Sequence, residues 1–250
     1  MRQILVVGGA GGLGSALVRR LLDRKWAVAV AGRSAVTEPR VRYVRVLDAT
    51  VTDWRTLYRD VERESGAPVE AVAFVSGAAA YGRTTLVPSD RARATFELNF
   101  WACAAAATAA AEHWVERDRP GRFLAVLSLV ARRAVPFEAH YAASKAAAGR
   151  FLECLQLEYG PRGIRFLCAF PGTLDTPFRT SAGWYGLAPA PSKGGSDADG
   201  AASALVALLE GRRKARVIGW RERAIDLADR VAPGLYDRAV LSRRVKRLAR

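Results

Sequence analysis

Seven short apolar runs recur along the chain, at Gln3 to Val7, Ala27 to Ala31, Val41 to Leu47, Val69 to Ser76, Phe123 to Leu129, Ile164 to Phe170 and Ala215 to Gly219. Their hydrophobicity is nearly continuous rather than alternating, which predicts strands buried on both faces of a parallel sheet. Longer segments between them have helical character: Leu13 to Arg24, Asp53 to Ser65, Asp90 to Arg117, His140 to Tyr159 and Asp197 to Glu210. Pro120-Gly121 and Gly160-Pro161-Arg162-Gly163 mark turns. Strand and helix alternate to about residue 220 without a linker or a repeat, so the pattern predicts one doubly wound α/β domain over 1–220, with helices on both faces of a mostly parallel seven-stranded sheet. Thr180 to Ser196 breaks the rhythm with Gly, Pro, Ser and the pair Trp184-Tyr185. That stretch suits either a mobile substrate loop, about 175–196, or a surface insertion.

The chain has 250 residues, half of them apolar, enough for a substantial core. Its start runs from Met1-Arg2-Gln3 straight into an apolar strand and glycines, without the form of a secretory leader. The longest apolar run, Phe100 to Ala111 broken by Thr108, is short of the roughly 20 residues a membrane span needs. A soluble, cytoplasmic protein is expected. Cys103, Cys154 and Cys168 are isolated and odd in number; they suggest neither a disulfide framework nor a metal site, and buried, inert thiols are the expectation.

Net charge is +15. From Arg212 to Arg250 stand thirteen Lys/Arg against four Asp/Glu, so the excess is concentrated at the C-terminus. Leu241, Val245 and Leu248 recur at helical spacing among Arg243, Arg244, Lys246, Arg247 and Arg250. Residues 221–250 are therefore expected to form a basic helical extension. It could meet an acidic acyl carrier protein, an anionic membrane or another subunit; Arg-rich solvated surface is the plainest account, and nucleic acid is not an expected partner.

Chemistry concentrates at strand ends. The first strand runs into Gly8-Gly9-Ala10-Gly11-Gly12-Leu13-Gly14 before an apolar helix, a setting in which backbone can approach a pyrophosphate and a helix N-terminus can face it. Tyr141 and Lys145 stand one helical turn apart, and Ser128 ends an apolar strand thirteen residues upstream of the tyrosine. A phenol needs a nearby cation to work as an acid or base near neutrality, and Lys145 could supply one while Ser128 holds the same substrate oxygen. Taken alone, Tyr-x-x-x-Lys is a common spacing.

Taken together, the glycine run, Asp48 after the third strand, Asn99 in the long helix, the Ser128/Tyr141/Lys145 trio and Pro171-Gly172 followed by Thr176 resemble a short-chain dehydrogenase/reductase over about residues 3 to 220. The resemblance implies a Rossmann-type sheet and a nicotinamide cofactor held by Gly8, Gly11, Gly12, Leu13, Gly14, Asp48, Ala49, Ser76, Gly77, Ala78, Tyr141, Lys145, Pro171, Gly172, Leu174 and Thr176. It further implies that Asp48 faces the adenine, that Asn99 helps hold a relay water, and that Pro171 to Thr176 positions the nicotinamide amide. Tyr141 would be the proton donor, Ser128 would bind the carbonyl oxygen, and Lys145 would lower the tyrosine pKa. Where NAD-binding relatives carry an acid after the second strand, this chain has Arg33 and Ser34, which suits the 2′-phosphate of NADP(H). The chain departs from the family at Val7, where threonine is usual, and at Ser76-Gly77-Ala78-Ala79, where Asn-Asn-Ala-Gly is usual. The missing asparagine removes an anchor for that loop.

The expected reaction is interconversion of a ketone and a secondary alcohol. An NADP(H)-binding sensor or scaffold without turnover, and an epimerase-like enzyme on the same fold, are the alternatives. Leu129, Val130, Phe137, His140, Leu174, Trp184 and Tyr185 are candidate pocket residues and suggest a hydrophobic or aromatic substrate. Alanine-rich helices at Asp90 to Arg117 and His140 to Tyr159 match those through which related proteins pair, so a homodimer or homotetramer is expected.

Overall fold

A computed structural model describes residues 2–189, 195–232, 234 and 238. The elements in chain order are β1 Gln3–Val7, α1 Gly12–Asp23, β2 Ala27–Gly32, β3 Tyr43–Val46, α2 Trp54–Ser65, β4 Val69–Phe74, β5 Ala80–Gly82, α3 Ser89–Phe96, α4 Cys103–Val115, β6 Gly121–Val126, α5 Ala139–Tyr159, β7 Ile164–Pro171, β8 Gly183–Tyr185, α6 Ala198–Glu210, β9 Ala215–Ile218 and α7 Trp220–Val231. Seven strands form a parallel sheet in the order β3-β2-β1-β4-β6-β7-β9. The order reverses direction beside β1, and the crevice at such a switch point, outside the carboxyl ends of the strands, is where open α/β sheets bind ligands.

Alternate side chains of each central strand enter two separate cores. Leu5 and Val7 join Trp54, Leu57, Ala106 and Leu152 under α2, α4 and α5, while Ile4 and Val6 join Leu17, Leu21, Leu205 and Leu209 under α1 and α6. All eight helix residues are nearly or fully buried, and each leucine removed from water contributes roughly 1.5–3 kcal/mol. This double burial is what the uninterrupted apolar runs require. Edge strand β3 is the exception, with Val44 and Val46 exposed. Helix ends follow local chemistry: Asp53 caps α2 by accepting from the Thr56 N–H at 3.2 Å, Gly66 ends it at φ +69°, and Asp197 caps α6 from the Gly200 N–H at 2.8 Å.

Several local expectations are corrected. Strands expected to reach Ser76 and Leu129 leave the ladder at Phe74 and Val126, because their final apolar residues turn into loops above the sheet. The helix expected from Asp90 to Arg117 is continuous from Ser89 to Val115 but contains a wider π turn, Glu97–Ala102, centred on Asn99. The irregular stretch after Thr180 contains strand β8, which pairs in parallel with β5 through Tyr81 and Trp184. Three-residue strands carry too little pattern to be read from sequence. Cys154 is exposed, unlike buried Cys103 and Cys168, because it lies on the outward side of α5. Of residues 221–250, the structure describes α7 to Val231 and little beyond it; Leu241, Val245 and Leu248 lie outside the described residues. Among the described residues no helix is long and apolar enough to cross a membrane.

Candidate active site

A cleft of about 940 Å³ opens above the carboxyl ends of the strands. Its first half is built from backbone. Gly8 leaves β1 at φ +91°, a conformation L side chains rarely adopt, and a Cβ at Gly14 would collide with the Gly8 carbonyl. A Cβ at Gly12 would stand 2.9 Å from the Thr176 side chain. Helix α1 begins here with neither a side-chain cap nor an acid in its first turn, so its leading N–H groups face the cleft without a competing anion. Arg33 and Ser34 after β2, and Asp48 and Ala49 after β3, line the outer wall. Asp48 Oδ1 accepts from Thr50 N at 2.9 Å and Thr50 Oγ1 at 2.8 Å; these bonds, and beyond them the Arg33 charge, hold its carboxyl below the usual range. Open glycines, an uncapped helix end and a cation at the β2 terminus fit a nicotinamide dinucleotide with a pyrophosphate over α1.

The Ser76-Gly77-Ala78 segment forms the floor, and its anchoring answers the missing asparagine. Asn99 accepts from the Ala78 N–H at 2.9 Å, donates to the Ala78 carbonyl at 2.8 Å, and donates its second N–H to Ser144 Oγ at 2.9 Å. Ser144 in turn donates to the Tyr141 carbonyl at 2.8 Å. Asn99 is 1 % exposed and does not line the cleft. Both amide hydrogens are spent on clamping this loop to α5. At Gly77 a Cβ would lie 3.1 Å from Lys145 Nζ and 3.2 Å from Asn99 Oδ1, so the residue's smallness is required.

Ser128, Tyr141 and Lys145 all line the cleft. Ser128 heads a turn after β6, its Oγ accepting weakly from Val130 N at 3.4 Å. Lys145 Nζ donates to the Val126 carbonyl at 3.0 Å, and burial brings its pKa down to about 8. Burial also pushes Tyr141 above its ordinary value; the Ser128 hydroxyl opposes this, Glu138 adds to it, and Arg179 opposes it. The Arg179 guanidinium is thus a cation that favours the ionised phenol from the substrate side.

The second half of the cleft is built from side chains, most of them missed in the sequence. Tyr81, Arg133, Glu138, Phe178 and Arg179 line it, as do Leu129, Val130 and Leu174, which the sequence singled out. Phe137, His140, Trp184 and Tyr185 are not among the lining residues. Trp184 instead packs against Tyr81 at 4.9 Å between ring centroids, because pairing of β5 with β8 turns it toward that ring. Tyr81 meets Tyr141 edge-on at 5.7 Å, and Phe178 meets it at 5.9 Å. Phe137 sits at φ +69°, a strained conformation for a bulky residue, and its carbonyl accepts from the Gly82 N–H at 2.9 Å. Helix α7, which falls beyond the domain boundary placed at residue 220, also supplies the wall through Glu222 and Ile225. Arg132 Nε donates to Asp226 Oδ1 at 2.6 Å and ties α7 to the Ser128 loop. No sequence signal connects these residues, since they are brought together across large separations.

The family described as short chain dehydrogenase matches residues 2–183. An uncharacterized oxidoreductase of Myxococcus xanthus is 30% identical over 68% of this chain and 71% of its own length. A 3beta-hydroxysteroid dehydrogenase of Eggerthella lenta is 29% identical over 70% of this chain and 72% of its own length. A short chain dehydrogenase from Burkholderia cenocepacia, solved in complex with NADP, superposes with a TM-score of 0.75 at 24% identity, covering 96% of this chain and 99% of that one.

Proposed function

The chain belongs to the short-chain dehydrogenase/reductase family of oxidoreductases, and from that premise we propose that it interconverts a ketone and a secondary alcohol with NADP(H). The observation that carries the reading is the convergence of Ser128, Tyr141 and Lys145 on one cleft whose other half is a glycine-built cradle. When bound, the cofactor supplies hydride exchange at its nicotinamide ring. Gly8 to Gly14 would hold the pyrophosphate, Arg33 and Ser34 the 2′-phosphate, Asp48 and Ala49 the adenine side, and Pro171 to Thr176 the nicotinamide amide. Arg33 is exposed at the end of β2 with no acid beside it in sequence, which supports the phosphorylated cofactor.

In reduction, Tyr141 donates its phenolic proton to the carbonyl oxygen while Ser128 donates a hydrogen bond to that oxygen. The developing phenolate needs positive charge within a buried site. Lys145 approaches the cleft floor at Gly77, where it can bind the ribose, and Arg179 contributes its field from the substrate side. Oxidation reverses the proton's direction. The sites on Asn99 and Ser144 hold the loop and the backbone of Tyr141, and so position the phenol rather than touch substrate.

We also infer a homo-oligomer formed through the α4 and α5 face, where Trp101 and Leu157 are exposed. Docking of the basic C-terminal residues on an acidic carrier protein or anionic membrane lies outside the described residues. The deciding experiment is NADPH consumption, followed by absorbance, on a panel of ketones. Tyr141→Phe should lose turnover by about a factor of 10²–10⁴ while NADPH binding persists. Full activity in that variant would overturn the mechanism.

A further inference from the structure

We propose that Arg179 is the specificity-determining residue of this site and that it selects a substrate carrying a carboxylate about one ring's width from the reacting carbonyl or alcohol. The proposal rests on the oxidoreductase reading above, and deepens it from a broad hydrophobic substrate to an organic anion.

The Arg179 guanidinium is held on three sides. It lies 4.7 Å from the Tyr81 ring centroid and 5.2 Å from that of Trp184, and Nη1 stands 3.6 Å from Glu138 Oε1. Ring faces attract a guanidinium without consuming its N–H donors, and 3.6 Å is beyond hydrogen-bond range. The Arg179 side chain donates no hydrogen bond to any described residue, although its side chain is only 13% exposed and lines the cleft. A preorganised planar fork in a partly desolvated site suits a carboxylate, which can accept two parallel N–H bonds. Arg133, 8% exposed, lines the cleft too, alongside the carboxylates of Glu138 and Glu222.

Position relative to the chemistry follows from the rings. Tyr81 carries Arg179 over its face and makes a T-shaped contact with Tyr141, while Phe178, next in the chain to Arg179, also packs on Tyr141. A substrate whose oxygen reaches Ser128 and Tyr141 would thus present its far end to Arg179. The strained Phe137, bonded to Gly82, fixes the turn that delivers Glu138 opposite the arginine.

The test measures binding and turnover separately. 4-Acetylbenzoate, 3-acetylbenzoate and 6-oxoheptanoate, each paired with its neutral primary amide, would be titrated calorimetrically into the NADPH-loaded protein and also assayed for NADPH oxidation. At least one acid is expected to bind about tenfold or more tightly than its amide, the scale of one charge-assisted hydrogen-bond pair. Arg179→Met should erase that preference, Arg179→Lys should retain part of it, and Glu138→Gln should increase it. Equal binding of acid and amide in every pair overturns the proposal, as does a preference that survives Arg179→Met in folded protein. If that variant does not fold, the wild-type ratio and the opposite-signed Glu138→Gln arm decide. Acid-selective binding without oxidation of NADPH by any ketone would leave the anion site standing and sink the oxidoreductase reading. Turnover without acid preference would do the reverse.

Discussion

The two halves of the cleft are built from different materials. The half beneath Gly8 to Gly14 works through absent side chains: backbone N–H groups and a helix end are exposed because nothing covers them. The half around Tyr141 works through side chains locked by one another, with Tyr81, Trp184, Arg179 and Glu138 forming a continuous contact set. Any dinucleotide presents the same phosphates and ring geometry, so one generic cradle serves. Substrate recognition must distinguish particular shapes and charges, and that demands groups from several distant parts of the chain.

Lys145 joins the two halves, and altering it has the largest expected effect. Its pKa of about 8 in the folded chain lies below the ordinary lysine value, so between about 8 and 10.5 the unfolded chain binds more protons and this residue's contribution to stability rises with pH. Below that window the buried charge costs a constant amount, on the order of 3 kcal/mol. Thermal melts of wild type and Lys145→Met should therefore show the variant's advantage shrinking as pH rises from 8 to 10. A constant difference would mean that the amine is not desolvated. In the cradle, Gly14→Ala forces the Gly8 carbonyl aside; a loss of about 1–3 kcal/mol, shared between stability and NADPH affinity, is expected by calorimetry. An unchanged NADPH affinity would show that the cradle does not hold the pyrophosphate.

Smaller changes separate cofactor choice from substrate-wall assembly. Arg33→Asp should shift the ratio of NADPH to NADH affinity by roughly tenfold or more toward NADH, about the strength of a charged hydrogen bond. A ratio that stays put would remove Arg33 from the site. Asp226→Asn keeps the shape of the α7 contact but weakens its pairing with Arg132, so a loss of about 1 kcal/mol and a raised substrate KM with unchanged NADPH affinity are expected. If NADPH affinity fell instead, α7 would belong to the cradle rather than to the substrate wall.

How much was legible follows this same division. Seven strands and their burial on both faces could be read because continuous apolar runs have few other stable placements. The glycine run, Ser128 and the Tyr141/Lys145 pair could be read because each is local, lying within one turn of helix or at one strand end. The anchor of the loop at Ser76 to Ala79 has no local signal, because Asn99 lies twenty-one residues away in sequence from Ala78. Similarly, Tyr81 and Trp184 meet only through a pair of three-residue strands. Asp226 finds Arg132 across 94 positions.

The sequence alone therefore determined the layered sheet, the glycine cradle and the Tyr141/Lys145 pair, since hydrophobic periodicity and short-range spacing act before the chain is folded. Only the tertiary structure decided that Arg179 approaches Tyr141 through Tyr81, which residues wall the second half of the cleft and that α7 lines it. Those contacts link residues far apart in the chain, and their energies exist only once the sheet has brought its loops to one edge.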